Sequence, residues 1–196
     1  MSVSTQTTQQ TMQTKANHSA PSNKVKSTPT PKPLTPVTPT KGDVQIFTAP
    51  HRHLYIDTIA QALRIAGQGT KVLLVQPFQA GIKQGLEQPR RLVENLLWLR
   101  CDAHRDISHA EVILTDLEKA SILELWQYAK STIASAEANL VVIDQANLLI
   151  DKSLITEEEL LQVLEMRSPK VQVILTGTAM PARIAEYADQ VTHRRN

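Results

Sequence analysis

The sequence is poor in cysteine, in long apolar runs and, over its first fifth, in acidic residues. Cys101 is the only cysteine in 196 residues, so an intrachain disulfide and a four-cysteine zinc site are both excluded. The longest apolar runs, such as residues 72–75, are far too short to span a bilayer. Asp43 is the first acidic residue, although five lysines precede it. The first 42 residues therefore carry a net charge of +5, and the remaining 154 carry −3.

The rest of the composition is that of a globular domain. Hydrophobic residues make up 41% of the chain, and 154 residues are enough to bury one sizeable core. The formal net charge of +2 is too slight, and the segment after residue 42 too acidic, for a nucleic-acid-binding surface. We therefore expect a cytoplasmic protein that binds neither nucleic acid nor membrane.

The first 42 residues consist almost wholly of Thr, Gln, Ser, Pro, Lys and Asn, with large apolar residues scattered singly. Nothing in such a segment repays the entropy lost on ordering. We predict a disordered tail over residues 1–42, followed by one domain over residues 43–196. A solvated tether is the simplest role for the tail. Three others stay open: a docking segment for an acidic or aromatic-grooved partner, a Thr-Pro phosphorylation switch, and a targeting segment, although the tail has neither arginine nor a continuous apolar core.

From Asp43 onward, short apolar strands alternate with helical patterns, which is typical of βαβ units. Hydrophobic strands separated by helices predict a three-layer α/β fold, in which a mostly parallel sheet has helices on both faces. Residues 92–101 fit a helix and a strand equally well. The predicted strands are 44–48, 71–76, 140–143, 171–175 and an edge strand at 191–195; the predicted helices are 54–66, 111–135, 156–166 and a short one opening at Pro181.

The loops that follow parallel strands are the places to look for a site. Right-handed crossovers bring these loops together at the carboxyl edge of the sheet, where ligands of such folds bind. The loops that this rule selects are residues 48–53, 76–85, 144–147 and 176–180.

Three stretches of the chain carry a family resemblance: Leu140-Val-Val-Ile-Asp-Gln-Ala-Asn147, Val173-Ile-Leu-Thr-Gly177 and Ala62-Leu-Arg-Ile-Ala-Gly-Gln-Gly69. They resemble the "VVLDE", "LTGR" and "ALRxAGxG" patterns of the P-loop ATP:corrinoid adenosyltransferases, and the resemblance extends over residues 44–192. It implies a P-loop NTPase-like, RecA-like fold and commonly a homodimer. For the family, it implies transfer of the 5′-deoxyadenosyl group of ATP to the reduced cobalt of a corrinoid, with Mg²⁺.

The resemblance places the phosphate loop on residues 49–55, Ala-Pro-His-Arg-His-Leu-Tyr, where every expected glycine is missing. A phosphate loop works because glycines let successive backbone N–H groups converge on an anion. Pro50 has no N–H to give, Leu54 replaces the phosphate-binding lysine, and Tyr55 replaces the threonine whose hydroxyl coordinates magnesium. Arg52 matches an earlier lysine and offers charge, but not this backbone cradle.

The second phosphate-side motif is half kept. Asp144 matches the family's strand-end aspartate, which helps hold the metal, whereas Gln145 replaces the adjacent glutamate and lacks its charge. An equally good interpretation of Asp144 is a strand terminator that caps the following turn. We assign no catalytic residue. If a ligand binds this degenerate site, the resemblance assigns it to Thr48, His51, Arg52, His53, Gln145 and Thr176, with Asp144 for a metal.

Other chemistry-bearing residues have simple interpretations. His51 and His53 have an i, i+2 spacing that could chelate a metal, but Asp57 is the only carboxylate near them in sequence, so solvated loop histidines are expected. Cys101 follows an apolar stretch and is expected to be a buried, inert thiol. Trp126 is expected to lie in the core.

Three functions fit these residues. The leading hypothesis is a pseudoenzyme: a non-catalytic relative with a degenerate Walker A loop that has lost Mg-ATP binding and acts as a regulatory or scaffolding protein for a protein partner or a small ligand. The first alternative is an active enzyme of cobalamin biosynthesis, which needs Mg-ATP and a corrinoid and holds the triphosphate with Arg52, Thr48 and Asp144. The second alternative binds a corrinoid or other tetrapyrrole without ATP, through residues 78–90.

Overall fold

The computed structural model describes residues 42–51, 56–79, 84–91 and 93–195. Seven strands in these residues form one sheet, in the order third, fourth, second, fifth, sixth, first and seventh. Six of the strands run parallel, and only the two-residue third strand pairs antiparallel with its neighbour. This confirms the predicted α/β class with a mostly parallel sheet. The strands are β1 (Val44–Thr48), β2 (Val72–Gln76), β3 (Arg90–Arg91), β4 (Leu96–Arg100), β5 (Leu140–Ile143), β6 (Gln172–Gly177) and β7 (Gln190–His193).

Helices cover both faces of this sheet. On one face, Ala62 and Ala66 pack with Val72, Leu74 and other apolar residues of the sheet. On the other face, a larger core joins four helices to the alternate side chains of the same strands. The helices are α1 (Ile56–Gly67), which covers the first face, and α2 (Asp116–Ser135), α3 (Ala146–Asp151), α4 (Glu157–Glu165) and α5 (Ala182–Tyr187), which cover the second.

The long helix α2 begins five residues later than its apolar pattern predicts. Thr115 is its N-cap: the Thr115 hydroxyl accepts from the backbone N–H of Glu118, and the Glu118 carboxylate accepts from the backbone N–H of Thr115. This reciprocal capping box makes Asp116 the first helical residue, so the prediction that the helix begins at Glu111 is wrong. Leu117 belongs to the first turn but, like Ile113, is exposed, so these two residues do not extend the core-facing stripe.

Of three further elements, one settles an open alternative and two differ from the sequence expectations. Residues 92–101, which fit both a helix and a strand, contain the strand β4. Residues 144–147, expected to be a loop, already enter the helix α3 at Ala146. Thr156 and Glu159 have the three-residue spacing that predicts a capping box. The Thr156 hydroxyl does cap α4 by accepting from the Glu159 backbone N–H, but the Glu159 carboxylate does not close the box. It accepts instead from Trp126 Nε1 and Lys130 Nζ, both at 2.8 Å, which ties α4 to α2.

Gly42, the last residue of the predicted tail, lies against the sheet's amino edge. Its N–H donates to the Pro169 carbonyl at 2.6 Å, and its carbonyl accepts from the buried Arg167 guanidinium at 2.7 and 3.0 Å. A Cβ at this position would lie 2.3 Å from the Val171 carbonyl oxygen, so only glycine fits here. Residues 1–41 of the predicted tail lie outside the described residues, and the tail remains a prediction. No helix among the described residues is long and apolar enough to cross a membrane.

Candidate functional site

The sheet register brings three polar side chains together at the middle of its carboxyl edge. Val75 is aligned with Ile143, and Ile143 with Leu175. The residue that follows each of these is polar: Gln76 after β2's Val75, Asp144 after β5, and Thr176 within β6. Since adjacent parallel strands run side by side, these three side chains lie next to one another on the same face of the sheet.

The Asp144 carboxylate is buried and hydrogen-bonded at both oxygens. Its Oδ1 accepts from the Thr176 hydroxyl at 2.7 Å, and its Oδ2 accepts from Gln76 Nε2 at 2.8 Å. Only 3% of the residue is exposed. Its backbone N–H donates to the Val75 carbonyl at 2.9 Å, so Asp144 joins β5 to both neighbouring strands. A buried carboxylate requires such donors because ionised groups are costly to leave unpaired in the interior.

The same arrangement extends to β4. Gln76 Oε1 accepts from Trp98 Nε1 at 2.8 Å and from Arg100 Nε at 3.0 Å. The Arg100 guanidinium also lies over the Trp98 ring, 4.9 Å from its centroid. We call these five residues the polar network, and they join four adjacent strands: Gln76, Trp98, Arg100, Asp144 and Thr176.

Gln145 adopts the left-handed conformation, with φ 55° and ψ 43°. A non-glycine residue takes this conformation only where its surroundings hold it there. Its backbone N–H donates to the Thr176 hydroxyl at 3.0 Å, and its side-chain Nε2 donates to the Ser108 carbonyl at 3.2 Å. Gln145 therefore links the polar network to the loop before α2.

The strand β1 lies two strands from β5, on the far side of β6. The polar side chain at its end, Thr48, does not bond to the polar network. The Thr48 hydroxyl shares a 2.5 Å hydrogen bond with His193 Nδ1, on the edge strand β7. The residue that follows this strand, Arg194, forms an ion pair with Asp57 in the first turn of α1. A cavity of about 420 Å³ lies between these residues and α1. The site residues predicted on β1 and β5 thus belong to two separate hydrogen-bonded groups.

A tight contact lies where β6 ends. A Cβ on Gly177 would lie 2.4 Å from Asn147 Oδ1, so glycine is required where β6 ends beside α3. Asn147 is buried, and its Nδ2 donates to Asp151 Oδ2 at 2.9 Å and to the Thr178 hydroxyl at 3.3 Å. Thr178 stands at the position of the family's arginine and is used in this internal contact.

The structure brings Asp144, Gln145 and Thr176 into one cluster and places Thr48 in the other. His51 is described and exposed, whereas Arg52 and His53 lie outside the described residues. Among the described residues, no group of three or more His, Cys, Asp or Glu side chains has the geometry to hold a metal ion.

Sequence reasoning missed three of the five residues of the polar network. The sequence places Gln76 at the end of a predicted strand and the start of a loop but does not identify it as a site residue, and the same is true of Trp98 and Arg100 within residues 92–101. A polar residue directly after a fully buried strand was a usable signal for Gln76. No comparable signal existed for Trp98 and Arg100, because their meeting with Gln76 depends on the pairing of β2 with β4.

Cys101 follows Arg100 and is fully buried, as expected. Its thiol lies 3.9 Å from the Glu118 carbonyl oxygen, and burial raises the pKa of the Cys101 thiol. A buried thiol with a raised pKa is a poor nucleophile, which agrees with a structural role.

Comparison with known proteins matches the described domain to one family. The sequence profile of "ATP:corrinoid adenosyltransferase BtuR/CobO/CobP" matches residues 41–196. The corrinoid adenosyltransferase of Escherichia coli (strain K12) is 26% identical over 159 residues, which cover 79% of this chain and 77% of that protein. The corrinoid adenosyltransferase of Pseudomonas aeruginosa is 26% identical over 139 residues, which cover 66% of this chain and 63% of that protein. An uncharacterized protein of Nostoc sp. is 28% identical over a shorter stretch of 76 residues, 39% of this chain and 20% of that protein.

Proposed function

Since this chain belongs to the ATP:corrinoid adenosyltransferase family, we propose that it keeps the family's scaffold, does not bind Mg-ATP in the family's manner, and acts by binding a partner rather than by catalysis. The observation that carries the proposal is the state of Asp144. This residue matches the aspartate that helps hold the metal in the family, yet both of its carboxylate oxygens accept hydrogen bonds from neighbouring strands.

The described residues do not fit a magnesium–triphosphate complex. Mg²⁺ demands near-ideal octahedral geometry and negatively charged or water ligands at about 2.1 Å. Asp144 is buried beneath Gln76 and Thr176, and Gln145, next to it, has no charge with which to attract the ion. The Thr48 hydroxyl, which directly precedes the phosphate-loop segment in sequence, is bonded to His193.

The start of α1 also disfavours a triphosphate. In P-loop folds the phosphates lie at the N-terminus of this helix, where the backbone N–H groups and the helix dipole attract negative charge. Here the first turn carries Asp57, whose carboxylate already supplies that negative charge and is paired with Arg194. A bound triphosphate would therefore meet an additional negative charge at this end of the helix, besides the missing glycines and lysine of residues 49–55.

The scaffold motifs persist because they serve the fold. Asp144 and Thr176 match the family patterns and hold three strands together through their mutual hydrogen bond and the bond to Gln76. Selection for stability alone is enough to keep such residues after catalysis is lost. This accounts for a chain that matches the family along its whole domain but differs from it in the phosphate loop.

Calorimetry of the full-length protein with Mg-ATP tests the proposal. We expect no heat beyond dilution at near-millimolar nucleotide, whereas the E. coli relative, titrated under the same conditions, serves as the positive control. A micromolar dissociation constant would overturn the proposal. If nucleotide binds, Arg52→Ala should abolish binding, because Arg52 is the remaining cation of the phosphate-loop segment.

Two assays with corrinoid separate the alternatives. Formation of a cobalt–carbon bond from reduced corrinoid and Mg-ATP, followed by its absorbance spectrum, would identify an active enzyme. Corrinoid binding without any nucleotide requirement would identify a carrier that uses residues 78–90. The proposed function predicts neither result.

A further inference from the structure

Two large aliphatic side chains project from the corner at which the chain enters α2. Ile113 is 86% exposed and Leu117 is 83% exposed. They lie four residues apart, on either side of the N-cap Thr115. A single exposed apolar side chain is common on protein surfaces, so the exposure of these two carries weight only together with the groove beside them.

The corner that presents them is held firmly in place. The Arg105 guanidinium binds both oxygens of Glu118 at 2.8 Å and also donates to the Ile113 carbonyl at 2.7 Å. The Arg105 guanidinium holds the pKa of Glu118 at about 2, well below its usual range. Ile113 is thus fixed through its own backbone, and Leu117 by the capped first turn of the helix. Their exposure is a property of a well-ordered segment.

Beside this corner lies an open groove of about 900 Å³. Residues 85–88, residues 102–105 and the first half of α2 line it, and we call it the acidic groove. Leu86, Ala103 and the fully buried Leu125 give it an apolar floor, and Leu117 stands at its rim. The Asp102 backbone N–H donates to the Ser121 hydroxyl at 3.1 Å, which fixes one wall against the other.

The charges of the groove are negative and unmatched. Within the part of the chain that the structure describes, Glu87, Asp102 and Glu124 line the groove without an ion-pair partner, whereas Arg105 and Glu118 neutralise each other. His104 is the remaining titratable group of the lining. The groove therefore combines an apolar floor with three carboxylates, which are chemically suited to lysine or arginine side chains interspersed with apolar ones.

We propose that the acidic groove and the exposed side chains of Ile113 and Leu117 form a docking surface for a cationic peptide segment of a partner protein, one that carries aliphatic side chains between its basic residues. The apolar floor receives the aliphatic side chains, and the three carboxylates bind the basic ones. A second copy of this chain does not fit, because in a two-fold contact the same surface faces itself and its three carboxylates would repel three others. Anionic lipid and nucleic acid are disfavoured for the same reason.

The proposal deepens the binding role proposed above by naming the partner's chemistry, but its test needs no nucleotide. If the protein binds both Mg-ATP and the cationic peptide, the proposed loss of ATP binding is wrong and the proposed docking surface stands. If neither ligand binds, the docking surface fails and the nucleotide proposal stands.

Fluorescence anisotropy tests the surface with the full-length protein and a short fluorescein-labelled peptide in which lysines alternate with single leucines. We expect saturable binding that weakens as salt is added, and no binding of a matched peptide that has glutamate in place of lysine. Neutralising the groove with Glu87→Gln, Asp102→Asn and Glu124→Gln should weaken binding about tenfold, because each exposed pair contributes only a fraction of a factor of ten. Leu117→Ser should weaken it by a similar factor, about tenfold, through the lost apolar contact.

The matched control removes an exposed apolar side chain and a carboxylate at a surface outside the groove. Met166 is 71% exposed at the end of α4, next to the exposed Glu165, so Met166→Ser with Glu165→Gln should leave peptide binding unchanged. Absence of saturable binding to the wild-type protein would overturn the proposal. Peptide binding that survives all the groove substitutions would overturn it as well. Self-association of the wild-type protein in sedimentation velocity that Leu117→Ser abolishes would also overturn it, because that result would identify a second copy as the occupant.

Discussion

The middle of the sheet's carboxyl edge and the acidic groove differ in whether their functional groups are bonded inside the protein or exposed to solvent. In the middle, Asp144 is buried, and its carboxylate is bonded to Gln76 and Thr176. In the groove, Glu87 and Glu124 are exposed and have no ion-pair partner in the described residues, and Leu117 projects into solvent. The first region directs its polar groups inward, and the second leaves both polar and apolar groups available.

This difference separates what holds the fold from what is offered to other molecules. A group that is already bonded inside the protein has to break those bonds before it can bind a ligand, whereas a solvated group only exchanges water. On this reasoning, the proposed loss of Mg-ATP binding and the proposed docking surface, on the side of the sheet where β4 ends, are two consequences of the same contrast. Substitutions in the middle of the carboxyl edge should therefore lower the free energy of unfolding, whereas substitutions at the groove should weaken binding and leave stability nearly unchanged.

Asp144→Ala should have the largest effect on stability. It leaves the Gln76 amide and the Thr176 hydroxyl without their acceptor in a buried site, and each unsatisfied donor costs about 1–3 kcal/mol, so we expect a loss of about 2–4 kcal/mol. Urea unfolding measures it, with and without millimolar Mg²⁺. Asp144→Asn, which keeps one acceptor oxygen, should lose less. An Asp144→Ala variant with an unchanged free energy of unfolding would contradict this prediction. If Mg²⁺ stabilised the wild-type protein but not the variant, the carboxylate would be available to a metal.

Gly177→Ala should come next. The new Cβ would lie 2.4 Å from Asn147 Oδ1 and 3.2 Å from the Ala179 carbonyl oxygen, so the end of β6 or the start of α3 must shift. Overpacking of this kind costs about 1–3 kcal/mol. Thermal unfolding of a double-mutant cycle with Asn147→Ala should show less than additive loss. Gly67→Ala is the control, since its Cβ would meet nothing within 4 Å, and a loss there as large as at Gly177 would remove the contact explanation.

The positions of the central strands could be predicted well, because parallel strands buried on both faces consist of nearly continuous apolar residues. The stretches Val72–Gln76 and Leu140–Ile143 are strands in the structure nearly as predicted. The start of α2 could not be predicted from periodicity, because Ile113 and Leu117 continue the helical spacing although they are exposed. The sequence signal that would have corrected this is the capping pair Thr115 and Glu118, whose three-residue spacing resembles that of Thr156 and Glu159.

The site could be predicted only in part, for a geometric reason. Asp144 stands directly after a buried strand, and the family pattern identified it as well. Its partners lie on β2 and β6, and Gln76 in turn meets Trp98 and Arg100 on β4. Those meetings depend on the strand order, which a single sequence does not contain. The groove was equally hidden, because residues 85–88, residues 102–105 and the first half of α2 come together only when the chain is folded.

Glu118→Gln should have a moderate effect that depends on pH. Arg105 lowers the pKa of Glu118 from its ordinary value of 4.5 to about 2, so the ionised carboxylate stabilises the folded state fully above pH 4.5, and this contribution is lost as the pH falls toward 2. The variant should lose about 1 kcal/mol at neutral pH, as for a weakened helix cap. Its stability should also fall less steeply than that of the wild type between pH 4.5 and 2, measured by urea unfolding. Glu111→Gln, at an exposed position just before the helix, should keep the wild-type slope; equal slopes for all three proteins would contradict the role of the Arg105 pair.

Ile113→Ser and Leu117→Ser should have the smallest effect on stability, and that small effect is what separates the groove from the network. Both side chains are almost fully solvated, so replacing them removes little buried apolar area, and surface changes of this kind stay within about 0.5 kcal/mol. Urea unfolding of each variant beside Leu125→Ala checks this, because Leu125 lies on the same helix but is 1% exposed and should cost about 2–5 kcal/mol. A loss above about 1 kcal/mol for either serine variant would mean that these side chains help to hold the corner together. Unchanged stability combined with lost peptide binding would mean that the fold does not need them and a partner does.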